Sequence, residues 1–479
     1  MIEAHALRGF PPPRPVAAAE VRAASAALGS RLVVLDDDPT GTQSVADLPV
    51  LTAWDVEDFA TVFATDAPAV YVLTNARSLG EADARRRNRE VAAHALTAAA
   101  EAGIDVEFVS RGDSTLRGHF PLETDTLAET IVAAGGAAID GVLIVPAFPD
   151  AGRVTIGGTH YMREGDELRP IGETEFARDA TFGYASSNLA DWVAEKSGGR
   201  HPAASVIVID LAVVRAGAAA IADAIQDAAD RTPIVCDVVT EDDLRLLSLG
   251  LIEARSRGKN LLSRVGPPFV RARIGAEQRP PLTAVEAFPD GGAERGGLIV
   301  VGSHVAVTTR QLSRLRAERP DIADVEIDVA RVLDPDDAPA YLSETARAVA
   351  AALEEGDVVV STTRTVTVAA DADASLEIAR TVSSAVVQIV QDVVAQTRPR
   401  FVVAKGGITS SDVAARGLSM RRATVLGPML PGIISLWEPA DGPAVGVPYV
   451  VFAGNVGDDD ALAHVVTTLT RTSAATAGR

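Results

Sequence analysis

The sequence predicts an α/β protein of two domains, each a mainly parallel sheet covered by helices. Three observations predict it. Short apolar runs recur along the chain, Ala-rich stretches studded with Arg and Glu separate them, and one Pro/Gly-rich segment interrupts the alternation. Apolar runs without polar alternation suit strands buried on both faces, and their alternation with helical stretches suits crossover connections in a parallel sheet.

Taken in order, the strand candidates of the first half are 32–35, 70–74, 106–110, 142–145, 206–211 and 234–238, with helices such as 82–102 between them. From 266 to 297 the chain carries two Pro-Pro pairs and several glycines, the composition of a linker or crossing segment. A second alternation follows, with strands at 298–301, 325–329, 358–361, 401–404 and 450–453. The expected division is therefore residues 1–270, a linker at 271–297, and residues 298–479. No repeat of fixed period is visible, and the Ala-rich stretches are helix formers.

Composition narrows the function. Lys plus Arg number 44 against 65 Asp plus Glu, a formal net charge of −21 that repels a polyanion, so nucleic acid is a poor partner. The single cysteine, Cys236, cannot form an internal disulfide and sits in an apolar run, which suits a reducing cytoplasm. No apolar stretch of the roughly 18 residues that span a membrane is expected, and the N-terminal residues lack the apolar core of a secretory signal.

Ligands of open parallel sheets collect at the carboxyl ends of strands, and most of the unusual polar clusters here follow a strand candidate. Asp36-Asp37-Asp38-Pro39-Thr40-Gly41-Thr42 places three carboxylates side by side. Unit charges about 4 Å apart repel by about 4 kcal/mol at an effective dielectric of 20, so a cation, Arg or donor-rich substrate is expected to compensate. A capping turn is the plainer alternative. Thr74-Asn75-Ala76-Arg77-Ser78 adds donors and one cation. Ser110-Arg111-Gly112-Asp113-Ser114-Thr115-Leu116-Arg117-Gly118-His119 suits an oxyanion clamp, its Arg forks matched to carboxylate or phosphate and its glycines admitting the ligand. Pro146-Ala147-Phe148-Pro149-Asp150-Ala151-Gly152-Arg153-Val154-Thr155 is a fourth cluster, with His160 shortly after it.

In the second half, Gly302-Ser303-His304, Lys405-Gly406-Gly407-Ile408-Thr409-Ser410 and Gly454-Asn455-Val456-Gly457-Asp458-Asp459-Asp460 are Gly-rich turns of the kind that cradle phosphates on backbone N–H groups. Lys405 stands out because the chain has only two other lysines, Lys196 and Lys259. Asp458 and Asp459 are the candidate magnesium ligands. Neither a P-loop nor a Gly-x-Gly-x-x-Gly fingerprint is present, and no His/Cys set has zinc spacing.

These stretches, seven motifs in one order from about Leu32 to Leu462, resemble the four-carbon acid sugar kinases. The resemblance implies an N-terminal domain for an aldonate-type acid, a C-terminal domain for ATP, an active-site cleft between the two domains, magnesium as cofactor, phosphoryl transfer to a substrate hydroxyl in carbohydrate-acid catabolism, and a homodimer as a reasonable assembly. The acid-sugar site then comprises Asp37, Asp38, Arg77, Arg111, Asp113 and Arg117. Asp36, Thr40, Asn75, Ser114 and His160 join it as substrate-binding candidates. Asp37, Asp113 and Arg117 are the catalytic candidates, with Asp37 or Asp113 as base and Arg111 with Arg117 on the substrate carboxylate. The nucleotide site comprises Gly302, Ser303, Gly406, Gly407, Thr409, Gly454, Asn455 and Gly457, joined by His304, Lys405 and Ser410. Ala453 stands where many relatives carry Lys, and Lys405 is the candidate to replace that charge.

Two rivals belong to other classes. Asp36-x-Asp38-x-Thr40 after an apolar strand fits the nucleophile motif of haloacid-dehalogenase-like phosphatases, with Asp36 forming an aspartyl-phosphate. A non-catalytic sensor of acid sugars is the other.

Overall fold

Each apolar run singled out in the sequence forms a strand, displaced by no more than two residues at its ends. The computed structural model describes residues 2–363 and 372–470. The strands of the first half are β1 (Arg31–Asp36), β2 (Leu48–Leu51), β3 (Ala69–Leu73), β4 (Val106–Arg111), β5 (Gly141–Val145), β6 (Arg153–Ile156), β7 (Thr159–Glu164), β8 (Glu167–Pro170), β9 (Ile207–Ile209), β10 (Thr232–Cys236) and β11 (Leu261–Val265). Those of the second half are β12 (Leu298–Val301), β13 (Ala323–Ile327), β14 (Val358–Thr362), β15 (Val402–Lys405), β16 (Arg422–Pro428), β17 (Ser435–Pro439) and β18 (Tyr449–Phe452). The chain divides into two compact units: Met1–Pro49 with Trp54–Gln278, and Val50–Ala53 with Arg279–Arg479.

In the first unit seven strands run in the order β3-β1-β4-β11-β5-β10-β9, every neighbouring pair parallel. All their carboxyl ends therefore lie on one edge. The chain winds from β1 to β3 on one side and then jumps past β1 to β4 on the other, so the order reverses between β1 and β4, where such sheets bind ligands. The long helix Glu81–Ala102 covers one face because Ala84, Val91, Ala92, Ala95, Ala98 and Ala99 recur at helical spacing and are buried.

In the second unit β13-β14-β12-β15-β18 are parallel and β17 and β16 continue antiparallel. Here the order reverses between β12 and β15. The core gathers Ile299, Val301, Phe401, Val403, Leu436, Val450 and Phe452 from the strands and Leu462, Val466 and Leu469 from the last helix.

The segment expected to be a linker packs into both units. Arg271 and Arg273 are buried in the first, paired with Glu241 at 2.6 Å and Glu107 at 2.9 Å, while Leu282, Ala287 and Phe288 are buried in the second. Its proline content reflects turns between packed side chains. Strand β11 ends at the first Pro-Pro pair and was hidden by it. The β6–β8 sheet was also unexpected: the turn Gly157-Gly158, with φ of +59° and +73°, closes a hairpin between β6 and β7. Helix Ala372–Gln396 contains a stretch, Glu377–Gln396, long and apolar enough by length and composition to cross a membrane, contrary to the expectation from the sequence. Ala385, Val386, Ile389, Val390 and Val393 within it are buried in the protein, as in a core helix.

Candidate functional site

At the reversal point of the first unit, the ends of β1, β3, β4 and β11 with their loops, and the helix Leu122–Ala133, bring five acidic and four basic side chains together. Arg111, 2% exposed, turns its Nε and one terminal nitrogen onto the Asp36 carboxylate, also 2% exposed, and donates to the Asp38 carbonyl at 2.5 Å. Arg77, on the short turn after β3, pairs with Asp38 at 2.5 Å and lies 3.5 Å from Asp113. Arg117 donates through Nε to Asp113 at 2.7 Å. Arg264, on β11, donates to Glu123 at 2.5 Å and to Ser110 at 2.9 Å. Every carboxylate but one thus accepts a charge-assisted bond.

The exception is Asp37. It is 1% exposed, and neither of its carboxylate oxygens has a hydrogen-bond donor, the Arg111 and Arg264 guanidinium groups standing off at 3.5 and 3.7 Å. Burial pushes its pKa up to about 7, against the pull of Arg77 and Arg264. Asp113 behaves oppositely. Burial would raise it, but Arg77, Arg117 and the Thr115 hydroxyl outweigh that and hold it well below the usual carboxylate range. One carboxyl is therefore poised to take a proton near neutrality, and its neighbour is fixed as an anion.

The other predicted residues of this unit are placed as follows. Asp38 caps the turn that follows, accepting from the Thr40 N–H at 2.9 Å and from its hydroxyl, so the capping alternative holds for this carboxylate alongside its pairing with Arg77. Asn75 takes a left-handed conformation, φ +54°, and its N–H bonds the Asp36 carbonyl at 3.2 Å. Ser114 is buried, and its carbonyl accepts from His160 Nε2 at 2.8 Å. His160 is fully buried, so contact with substrate is corrected to a positioning role: Nε2 donates to Ser114, and Nδ1 accepts from the Thr155 hydroxyl at 2.9 Å. Burial pushes its pKa down to about 4, which keeps the ring neutral. With Tyr184, whose hydroxyl donates to the Thr115 carbonyl at 2.7 Å, it pins the loop that carries Asp113 and Arg117.

The glycines were expected to admit ligand; here they admit guanidinium groups. A Cβ on Gly112 would lie 2.2 Å from the Arg264 head, and one on Gly41 2.3 Å from Arg111 Nε. Arg264 and Glu123 were missed in the sequence. The signal for Arg264 was an Arg inside an apolar run, Leu-Leu-Ser-Arg-Val, which a strand buried on both faces tolerates only beside an anion. Asp36 is committed to Arg111 and closed off from solvent, which removes it as a phosphatase nucleophile.

In the second unit the loops after β12, β15 and β18 meet at the other reversal point. A Cβ on Gly302 would sit 2.2 Å from the Thr409 hydroxyl, one on Gly406 2.8 Å from it, and one on Gly454 2.5 Å from the Ser303 hydroxyl. The N–H groups of Gly302, Ser303 and Gly406 are bonded to strand carbonyls at 3.2, 3.3 and 2.8 Å. Those of Gly407, Gly454 and Asn455 have no such acceptor among the described residues and are able to meet a phosphate. Gly457, φ +83°, packs on Ala461. His304 is exposed, its Nε2 3.2 Å from the Thr362 hydroxyl.

Three expectations here are corrected. Lys405 is fully buried, donating to the Ala453 carbonyl at 2.7 Å with its ammonium 3.6 Å from the Phe452 ring centroid; burial pushes its pKa down to about 7. It ties the Gly454 turn to β15 and offers no charge to a ligand. Ser410 is buried and donates to the Ala404 and Gly406 carbonyls, both at 2.7 Å. Asp458 and Asp459 are exposed, and Asp459 pairs with Arg310 at 2.8 Å. Asp459 is thus committed to a guanidinium group, and among the described residues no group of three His, Cys, Asp or Glu side chains stands together here.

A sugar-binding N-terminal domain matches residues 32–273 and a nucleotide-binding C-terminal domain residues 298–462. A D-erythronate kinase of Heliobacterium modesticaldum is 28% identical over 314 residues, 64% of this chain and 64% of the relative. Two solved structures share the fold. One is a proposed tRNA synthase from Salmonella typhimurium LT2, at TM-score 0.65 and 19% identity, covering 91% of this chain and 98% of that one. The other is a Haemophilus influenzae protein of the DUF1537 family, at TM-score 0.60 and 18% identity, covering 91% and 100%. The matched domains together span most of the chain, which belongs to the family of four-carbon acid sugar kinases.

Proposed function

We propose that the protein transfers the terminal phosphoryl group of ATP to a hydroxyl of a four-carbon acid sugar of the threonate, erythronate or 3-oxo-tetronate type. The observation that carries this is Asp37. A buried carboxylate without a donor is unfavourable, and a substrate hydroxyl supplies the missing donor while Asp37 supplies the base. The similarity to a D-erythronate kinase supports the substrate class.

In the step proposed, the hydroxyl oxygen bonds to the terminal phosphorus, its proton passes to Asp37, and the bond to the ADP oxygen breaks. Such transfer needs positioning and charge stabilisation more than covalent help. Asp113, fixed as an anion, holds Arg77 and Arg117 in place. Arg111, committed to Asp36, no longer serves as a substrate clamp, whereas Arg117, 25% exposed at its side chain, keeps that role. The free N–H groups of Gly407, Gly454 and Asn455 take the nucleotide phosphates.

Incubating the full chain with ATP, magnesium and a panel of four-carbon aldonates tests the proposal. ADP release that depends on one of the acids is expected. Phosphate release from phosphosugars without ATP would favour a phosphatase, and acid binding without turnover a sensor.

A further inference from the structure

Four guanidinium groups of the first unit's cluster are committed to carboxylates: Arg77 to Asp38, Arg111 to Asp36, Arg117 to Asp113 and Arg264 to Glu123. Arg153 is not. Its Nε is buried with no hydrogen-bond partner, and among the described residues its head makes no ion pair. It nevertheless belongs to the same cluster, because its charge feels Asp113, Arg117 and Glu175. Burial pulls its pKa down, and Asp113 and Glu175 offset that only in part.

The backbone beneath it is rigid. Arg153 and Phe148 exchange both backbone bonds, at 2.9 and 2.8 Å, and two residues on, Thr155 holds His160, which holds Ser114 in the loop of Asp113 and Arg117. The backbone that carries Arg153 is thus tied through β6 to the loop of Asp113 and Arg117. A guanidinium group whose Nε is buried without a partner, and whose head makes no ion pair among the described residues, is matched by a planar carboxylate, which can take two parallel N–H bonds.

We propose that Arg153, together with the outer edge of Arg117, receives the carboxylate of the substrate and so makes the protein select an acid over the matching neutral polyol or amide. This rests on the acid-sugar function proposed above and transfers to Arg153 the role the sequence suggested for Arg111.

The test compares the wild-type chain with Arg153→Gln and Arg153→Lys. Calorimetric binding of the preferred four-carbon acid and of its uncharged amide is measured beside kcat and KM. Arg153→Gln is expected to weaken acid binding and raise its KM by about 10- to 100-fold, the usual loss for a charge-assisted pair. Amide binding, the KM for ATP and the saturating kcat should stay within about threefold. Arg153→Lys, which keeps the charge and loses the fork, should fall between. An unchanged acid-to-amide ratio in Arg153→Gln overturns the assignment, as does an equal loss for both ligands, which marks a structural role. A wild-type chain that binds and phosphorylates no acid sugar overturns the kinase function and this assignment with it. An active wild type with an unaltered ratio in the variant overturns the assignment alone.

Discussion

Asp37 and Asp36 are adjacent in sequence and opposite in chemistry. Asp36 is neutralised by Arg111, so removing either partner leaves a buried charge uncompensated. Asp36→Ala is expected to cost about 3–5 kcal/mol of stability, read as a large drop in Tm or a loss of folded protein. Asp37 lacks a donor, and its loss should act on the chemistry. Asp37→Asn is expected to lower kcat by about 100-fold or more with a few-fold change in KM, measured by ADP release. The base must be ionised, so wild-type kcat/KM should fall as pH drops below about 7, and the variant should lose that limb. The sign for stability is the reverse. A carboxyl raised from 3.8 to about 7 stabilises the fold most when protonated, and that contribution is lost as pH rises through 7. The Tm of Asp37→Asn relative to wild type should therefore climb between pH 4 and pH 8. A flat difference would mean that Asp37 is paired in solution.

At the scale of elements, the two sites sit where strand order reverses, between β1 and β4 and between β12 and β15. Five glycines, Gly41, Gly112, Gly302, Gly406 and Gly454, allow side chains to pass close at these points. Gly112→Ala is expected to displace Arg264 and impair acid-sugar turnover without altering the KM for ATP. Gly302→Ala, which drives a methyl group into Thr409, should raise the KM for ATP and spare acid binding. Steady-state kinetics with each substrate varied separates the two outcomes. Much of this was legible in the sequence. The parallel sheets follow from unbroken apolar runs such as Val33-Val34-Leu35, and the loops at 36–42, 111–118 and 406–410 were found because polar clusters followed those runs. What was not legible depended on partners distant in the chain. Arg264 lies 141 residues from Glu123, so an Arg inside an apolar run signalled a buried partner without identifying it. Lys405 read as an exposed phosphate ligand because nothing nearby revealed that it is buried against Phe452 and Ala453.

At the scale of the molecule, the account assigns the acid to the first unit and the nucleotide to the second. Hydrogen exchange on the full chain checks this directly: a four-carbon acid should protect peptides spanning 36–42 and 111–118, and a non-hydrolysable ATP analogue those spanning 406–412 and 454–457. The measurement that bears most directly on the central claim is ADP release by the wild-type chain and by Asp37→Asn, with and without each four-carbon acid. The account predicts turnover only when one acid is present and only when Asp37 is intact. ADP release at the same rate without any acid, or undiminished in Asp37→Asn, would contradict it.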